Sequence, residues 1–386
     1  MSAPNLAERL RSVRKRRGFT QQDLADLSGV SLSLIRKLEQ KEREDTRLET
    51  LRKLAKALGV STSDLIIAPV EADGVTSDNW VPVRDALLRK NGQPNEAPTV
   101  GGVHSAVTAA EPLFTENRYG ELGAVLPALL RDADALEKQG RALRSRVLHL
   151  AGLLLVSTRQ FDAAEIALRR ALDDAPGRLD EAAIINTRCW LLMRRGDLAG
   201  TLDLAARSAD EIEPRLSRAT SEELAAWGGL LLRVSTAASR NNEPGEAEDA
   251  VRFAQAAAVT LKREWAPPAD PLRTFGPIAV VTRRAENYMI EDRPDRVLAL
   301  SERIPKSGFR ARASSRNRHR LDVAKANVQL KQYTDAFEIL QEIRAISPEW
   351  IVNQRMARDI LGKIVTKRRT LTADMRELAD FVNLEY

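Results

Sequence analysis

The sequence holds one cysteine, Cys189, and three histidines, His104, His149 and His319. A single cysteine excludes an internal disulfide and any thiolate metal cluster. The histidines stand too far apart for a metal site built from neighbouring residues. Aromatic residues make up only 4% of the chain, against 43% hydrophobic and 30% charged. Alanine, leucine and arginine dominate, and all favour helix over sandwich strands. The longest uncharged apolar run, Val147–Thr158, is about 12 residues and too short to span a bilayer. Met1–Pro4 leads into a charged helical stretch without a secretory pattern. A soluble cytoplasmic protein is expected. No glycine-rich phosphate loop and no Ser-His-Asp arrangement is legible. The expectation is therefore no enzyme, no metal and no cofactor.

What is present is unevenly placed. The net charge is +6, yet residues 1–69 carry 14 Lys/Arg against 9 Asp/Glu, while the other 317 residues carry 46 against 45. A localised basic excess suits a polyanionic partner, although a solvated basic surface has the same composition. At 386 residues, the length suggests two domains. The boundaries expected are a small basic domain over 1–68, a linker over 69–101 and a helical domain over 102–386.

In the first segment, Leu6, Leu10 and Val13 recur at helical spacing and predict a helix from Asn5 to about Arg17. Gly18 ends it. Thr20 caps a second helix with Asp23 in capping-box position, and Gly29 breaks it. Ser31 caps a third helix running to about Gln40. A fourth opens at Thr46 or Arg47 and closes at Gly59, with Leu48, Leu51, Leu54, Ala55 and Leu58 on its inner face. Ser61 caps a short fifth helix ending near Ile67.

Helix, glycine turn and helix across Thr20–Glu39 form the unit that lays a helix in the DNA major groove. The pattern resembles the Xre/Cro-like helix-turn-helix repressors: Arg14, Gly18, Thr20-Gln21, Leu24-Ala25, Ser28 to Ser31, Ile35, Leu38-Glu39 and Glu49 to Val60. The usual glycine after the recognition helix is missing, replaced by Gln40-Lys41-Glu42-Arg43. The resemblance implies an internal salt bridge between Arg14 and Glu39 and a phosphate contact from Gln21. Ala25, Val30, Ile35 and Leu38 would pack the helices together. On the third helix, Ser31, Leu32, Ser33, Arg36 and Lys37 are the candidates to face DNA. Arg36 or Lys37 would reach guanine, Ser33 a base or phosphate, and Leu32 a thymine methyl. Arg43 and Arg47 lie where phosphate contacts are common.

The linker is polar from Pro69 to Asn79. A short amphipathic piece around Trp80 follows, expected to anchor the linker on the larger domain. Residues 102–386 are then helical and punctuated at Arg118-Tyr119, Gln160-Phe161, Gly196-Asp197, Pro244-Gly245, Arg293-Pro294 and Gln332-Tyr333. That rhythm belongs to helical-hairpin repeats. Phe161-Asp162-Ala163-Ala164 with Leu168, Ala171 and Pro176, and Tyr333-Thr334-Asp335-Ala336 with Ile343 and Pro348, resemble the second helix of the tetratricopeptide repeat. The fold class expected is all-α: a five-helix head followed by an α-solenoid of such hairpins. An irregular helical bundle is the alternative.

Head and body together are similar to actinobacterial regulators and, in plan, to peptide-responsive quorum-sensing regulators. In those, the concave face binds a peptide through Asn and basic side chains. In that frame Asn186, Arg283, Asn287, Arg318 and Lys325 are candidate ligand residues. Arg146, His149 and Trp190 also point inward. The function expected is a homodimeric, sequence-specific regulator of double-stranded DNA whose body senses a peptide or small signal. The alternative is a DNA-tethered scaffold whose repeats bind a partner protein. No membrane partner is expected.

Overall fold

A computed structural model of the chain describes residues 6–43, 46, 48–60, 62, 65, 80–88, 97–304, 313–368 and 370–384. Among them the fold is all-α: helices joined by turns, with one isolated antiparallel bridge, Trp265 to Phe275, and no strand.

The head opens with α1 (Leu6–Arg16), α2 (Gln21–Ser28), α3 (Leu32–Glu39) and α4 (Leu48–Leu58). Thr20 starts α2 through a capping box: its side chain accepts from the Asp23 amide, and Asp23 accepts in return from the Thr20 backbone N–H. Ser31 caps α3 by accepting from the Leu34 amide. Where the repressor pattern has glycine, Lys41 adopts the left-handed conformation at φ 62°, which costs a side chain about 1 kcal/mol. Its ammonium reaches Glu8 at 2.8 Å. Leu10, Leu24, Ile35, Leu38 and Leu54 are fully buried and form the centre of a small core. The expected fifth helix lies outside the described residues, apart from Thr62 and Leu65.

Trp80 and α5 (Val81–Leu88) belong to the core of the body. The indole lies so close to Gly123 that a Cβ there would fall 2.7 Å from Cζ3. Only glycine admits that approach.

The body is a succession of helix pairs: α6 (Val100–Thr115) with α7 (Tyr119–Ala135), α8 (Arg141–Ser157) with α9 (Phe161–Asp173), α10 (Arg178–Arg195) with α11 (Leu198–Glu211), α12 (Ser221–Arg240) with α13 (Pro244–Leu261), α14 (Pro277–Ile290) with α15 (Pro294–Glu302), and α16 (Ala313–Gln329) with α17 (Tyr333–Ile346). The first helix of each pair also packs on the first helix of the next. The inner helices are therefore covered on two sides, which is why α8 is apolar almost all round.

The turn inside each pair has one conformation. A left-handed residue is followed by a cap residue near φ −85°, ψ 65° at Arg159-Gln160 and Lys331-Gln332. Asn117-Arg118 shares this form; at Asn242-Glu243 and Asp292-Arg293 the cap ψ is 68° and 67° with φ at −113° and −115°, and at Gly196-Asp197 the cap ψ is 80°. These are the punctuation marks of the sequence. Asn, Asp and Gly tolerate the left-handed region, which explains their presence there.

The row of pairs closes on itself. After α17, α18 (Pro348–Ile351) meets α7. Asn117 Nδ2 donates to Ser347 Oγ at 3.2 Å, and the Gly120 amide donates to Glu349 Oε2 at 2.6 Å. Then α19 (Arg355–Val365) and α20 (Ala373–Phe381) complete a core shared by the first and last pairs. Closure leaves an open-mouthed space between the inner helices.

Candidate DNA interface and central cavity

The arrangement of α2 and α3 is fixed from beneath. Arg14 Nε and a terminal nitrogen donate to the two Glu39 oxygens at 2.6 and 2.8 Å, and Arg14 also donates to the Phe19 carbonyl at 2.7 Å. This bidentate pair is buried. The hydrogen bonds to Glu39 raise the Arg14 pKa, and the guanidinium holds the Glu39 carboxylate low despite the opposing effect of burial. Ala25, Val30, Ile35 and Leu38 pack the two helices together.

Above this base, Ser31, Ser33, Arg36 and Lys37 are exposed on one side of α3, and Leu32 is half-buried at its start. Arg43 is exposed beyond the helix end, its amide donating to the Lys37 carbonyl at 3.1 Å. Gln21 is half-buried and donates through Nε2 to Glu39 Oε2 at 2.7 Å. It joins the ion pair to the first turn of α2, where backbone N–H groups face outward. Arg47 lies outside the described residues.

The opposite side of the head docks on the body. Thr62 donates through Oγ1 to the Arg240 carbonyl at 2.7 Å, and through its amide to the Asn241 carbonyl at 3.4 Å. Asn242 Nδ2 donates to the Arg52 carbonyl at 3.2 Å. Lys325 Nζ meets Glu49 Oε2 at 3.1 Å. Burial works against the Glu49 charge, but Lys325, Lys53 and Lys363 hold its pKa down at about 2. The docked face belongs to α4 and Thr62, so the exposed side of α3 stays open.

Beneath the docked head lie two adjoining cavities of about 250 and 280 Å³. They share Met193, Arg194, Arg240, Glu286, Arg318 and Asp322 in their walls. Glu49 and Arg52 of the head line the second. The first is walled by the inner helices and by the segment between α13 and α14. That segment is folded back by reciprocal 2.9 Å bonds between Trp265 and Phe275. Phe275 seats on Gly228, where an added Cβ would meet its ring at 2.0 Å.

The sequence candidates divide between these places. Asn186, Trp190, Arg283 and Arg318 line the first cavity; Arg318 and Lys325 line the second. Asn186 is occupied as a holder of arginines: its Oδ1 accepts from Arg233 Nε at 2.8 Å and from Arg273. Asn287 is not in the cavity wall. It is buried between inner helices and donates to Ser235 Oγ at 2.7 Å. Arg146 and His149 sit elsewhere, on Glu111 at 2.6 Å and on Thr187 Oγ1 at 2.9 Å.

Sequence reasoning missed most of the charge in the cavity. Glu286 is clamped by Arg240 at 2.7 Å, by Arg318 at 3.3 Å and by Arg283. Burial opposes its charge, yet these arginines keep its pKa far below the carboxylate range. Arg194, Arg233 and Arg273 complete the wall. A usable signal was present in α12, where Arg233 interrupts an otherwise uncharged apolar stretch from Leu224 to Ser239.

Head fold, exposed basic helix face and locked Arg14–Glu39 base are those of a helix-turn-helix domain of the kind that binds DNA. Comparison with known families agrees: a helix-turn-helix family model matches residues 10–65. A search of curated proteins finds no match for the chain. No helix among the described residues is long and apolar enough to cross a membrane.

Proposed function

We propose that the chain is a transcriptional regulator that binds a two-fold operator as a homodimer, with a tetratricopeptide-like body that senses a small signal. One head of this kind covers a half-site, and two are needed for a palindrome. Arg36, Lys37, Ser33 and Leu32 would read base edges. Gln21, Ser31, Arg43 and Arg47 would fix the head on the backbone. The recurrent turn between paired helices supports a repeat origin for the body.

One observation carries the sensing reading. The head docks on the Arg240 carbonyl and the Lys325 ammonium, and the side chains of both residues line the cavities beneath it. A ligand there would meet Lys325 directly and would reach the head's Arg240 contact through that residue's backbone. The small volumes favour a compact molecule over an extended peptide.

Selection of DNA from a random pool by the full-length protein tests the reading. The expected product is a palindrome with half-sites about one helical turn apart or a multiple of it. Lys37→Ala and Arg36→Ala should each lose about 1–3 kcal/mol of discrimination at one base position. No enrichment, or enrichment of an isolated half-site bound by one chain, contradicts it. Binding of a partner protein with no response of DNA affinity to any small molecule favours the scaffold reading instead.

A further inference from the structure

We propose that the central cavity is a binding site for a small organic oxyanion, a carboxylate or phosphate carried on an apolar body, with Arg194 and Arg233 as its anchors. The proposal rests on the reading of the body as a sensor and names the chemistry of the signal.

The wall of the first cavity holds six arginines, at 194, 233, 240, 273, 283 and 318, against three carboxylates, Glu264, Glu286 and Asp322. The pairing leaves two arginines over. Glu286 takes Arg240, Arg283 and Arg318, and Asp322 also stands 3.7 Å from Arg318. Arg273 is paired outside the wall with Asp270 at 2.9 Å. Glu264 accepts the Ile278 amide at 2.6 Å, and burial raises its pKa.

Arg194 has no carboxylate partner among the described residues. Its guanidinium lies 5.9 Å from the ring centres of Trp190 and Phe161, and one terminal nitrogen is buried without a hydrogen bond. Arg233 makes one hydrogen bond, through Nε to Asn186, which leaves its terminal nitrogens for the cavity. Burial lowers the Arg194 pKa to about 9, with Arg159 adding to the effect. Arg233 is lowered too, by burial and by Arg273 and Arg283. Arg194 and Arg233 are half-buried in the wall; cations held there without a counter-charge are unfavourable, and an anion that reaches either of them lowers that cost. A fixed planar fork suits a carboxylate or phosphate oxygen pair. Trp190, Leu232, Phe275 and Trp350 supply the apolar wall for the body of the ligand. A volume of about 250 Å³ limits it to a small molecule.

The experiment uses thermal unfolding and titration calorimetry of the full-length protein. Phenyl phosphate, phenylacetate and neutral benzyl alcohol are compared at constant ionic strength. At about a hundredfold the dissociation constant, at least one of the two anions should raise the unfolding midpoint by roughly 3 °C. A response to phenyl phosphate alone assigns a phosphate, and to phenylacetate alone a carboxylate. Arg194→Met and Arg233→Met should unfold at the wild-type midpoint or above it without ligand, and lose the anion response at least tenfold. Wild type unmoved by both anions, benzyl alcohol acting equally, or both variants keeping the wild-type response overturns the proposal. Selection of DNA with the same preparations separates the two readings. No anion response with intact DNA recognition overturns only the anion site, whereas failed recognition overturns the regulator.

Discussion

Glu49 of α4 and Lys325 of α16 meet at 3.1 Å across 276 residues of sequence and join the head to the wall of the second cavity. Lys325 is mostly buried, so losing it leaves the Glu49 carboxylate among fewer cations. Lys325→Gln should loosen the head. A double-mutant cycle with Glu49→Gln should give a coupling of about 1 kcal/mol in unfolding free energy. Additive single effects would show that the pair does not join head to body.

The Arg14–Glu39 pair predicts a different scale. Glu39 is 3% exposed in its side chain, and removing its partner strands a buried charge. Arg14→Ala should destabilise the head by about 3–5 kcal/mol and weaken binding to operator and random DNA alike. A variant that folds normally but loses only specificity would contradict the structural role.

His319 predicts a response to acid. It is buried, with Nε2 3.1 Å from Ser301 Oγ and Nδ1 unpartnered, and burial lowers its pKa to about 4 from 6.5. Between those values the unfolded chain takes a proton that the folded chain refuses. Stability is therefore full above pH 6.5 and lost as pH falls toward 4, by up to about 3 kcal/mol. Asp322, raised by burial, acts in the opposite sense. The difference between wild type and His319→Gln in denaturant titrations isolates the histidine. A difference independent of pH would contradict the assignment.

The shared turn predicts a gain. Lys331 is exposed and left-handed at φ 65°. Lys331→Gly relieves that conformation and should stabilise the chain by about 0.5–1 kcal/mol, read as a higher denaturation midpoint. Unchanged or lower stability would mean that the turn carries no such cost.

Local features were legible in the sequence, and long-range ones were not. Thr20, Gly29 and Ser31 act through neighbours within three or four residues, so their spacing alone places α2 and α3. The turns at Asn117, Arg159, Gly196, Asn242, Asp292 and Lys331 are marked by tolerant residues or by the apolar helix that follows. Closure of the ring is different. It depends on Asn117 meeting Ser347 and Glu349 meeting the Gly120 amide, contacts that no periodicity encodes. Asn186 and Asn287 look alike in a helical pattern, yet one faces the cavity and the other a neighbouring helix. Arg194 and Arg233 take their meaning from carboxylates used up elsewhere, which only three-dimensional pairing shows.

The central claim is that the body controls DNA binding through the docked head. Thr62 Oγ1 and Asn242 Nδ2 lie 3.3 Å apart across that contact, so Thr62→Cys with Asn242→Cys, bridged through disulfides by a short bis-methanethiosulfonate reagent, provides a reducible lock. The single native cysteine, Cys189, is buried and, with its pKa pushed up to about 11 by burial, stays out of the exchange. Operator affinity of this variant, measured bridged and reduced with and without the anion that binds the cavity, is the direct measurement. The account predicts that the anion changes the affinity of the reduced form and leaves the locked form unmoved. An equal anion response in both forms would contradict it.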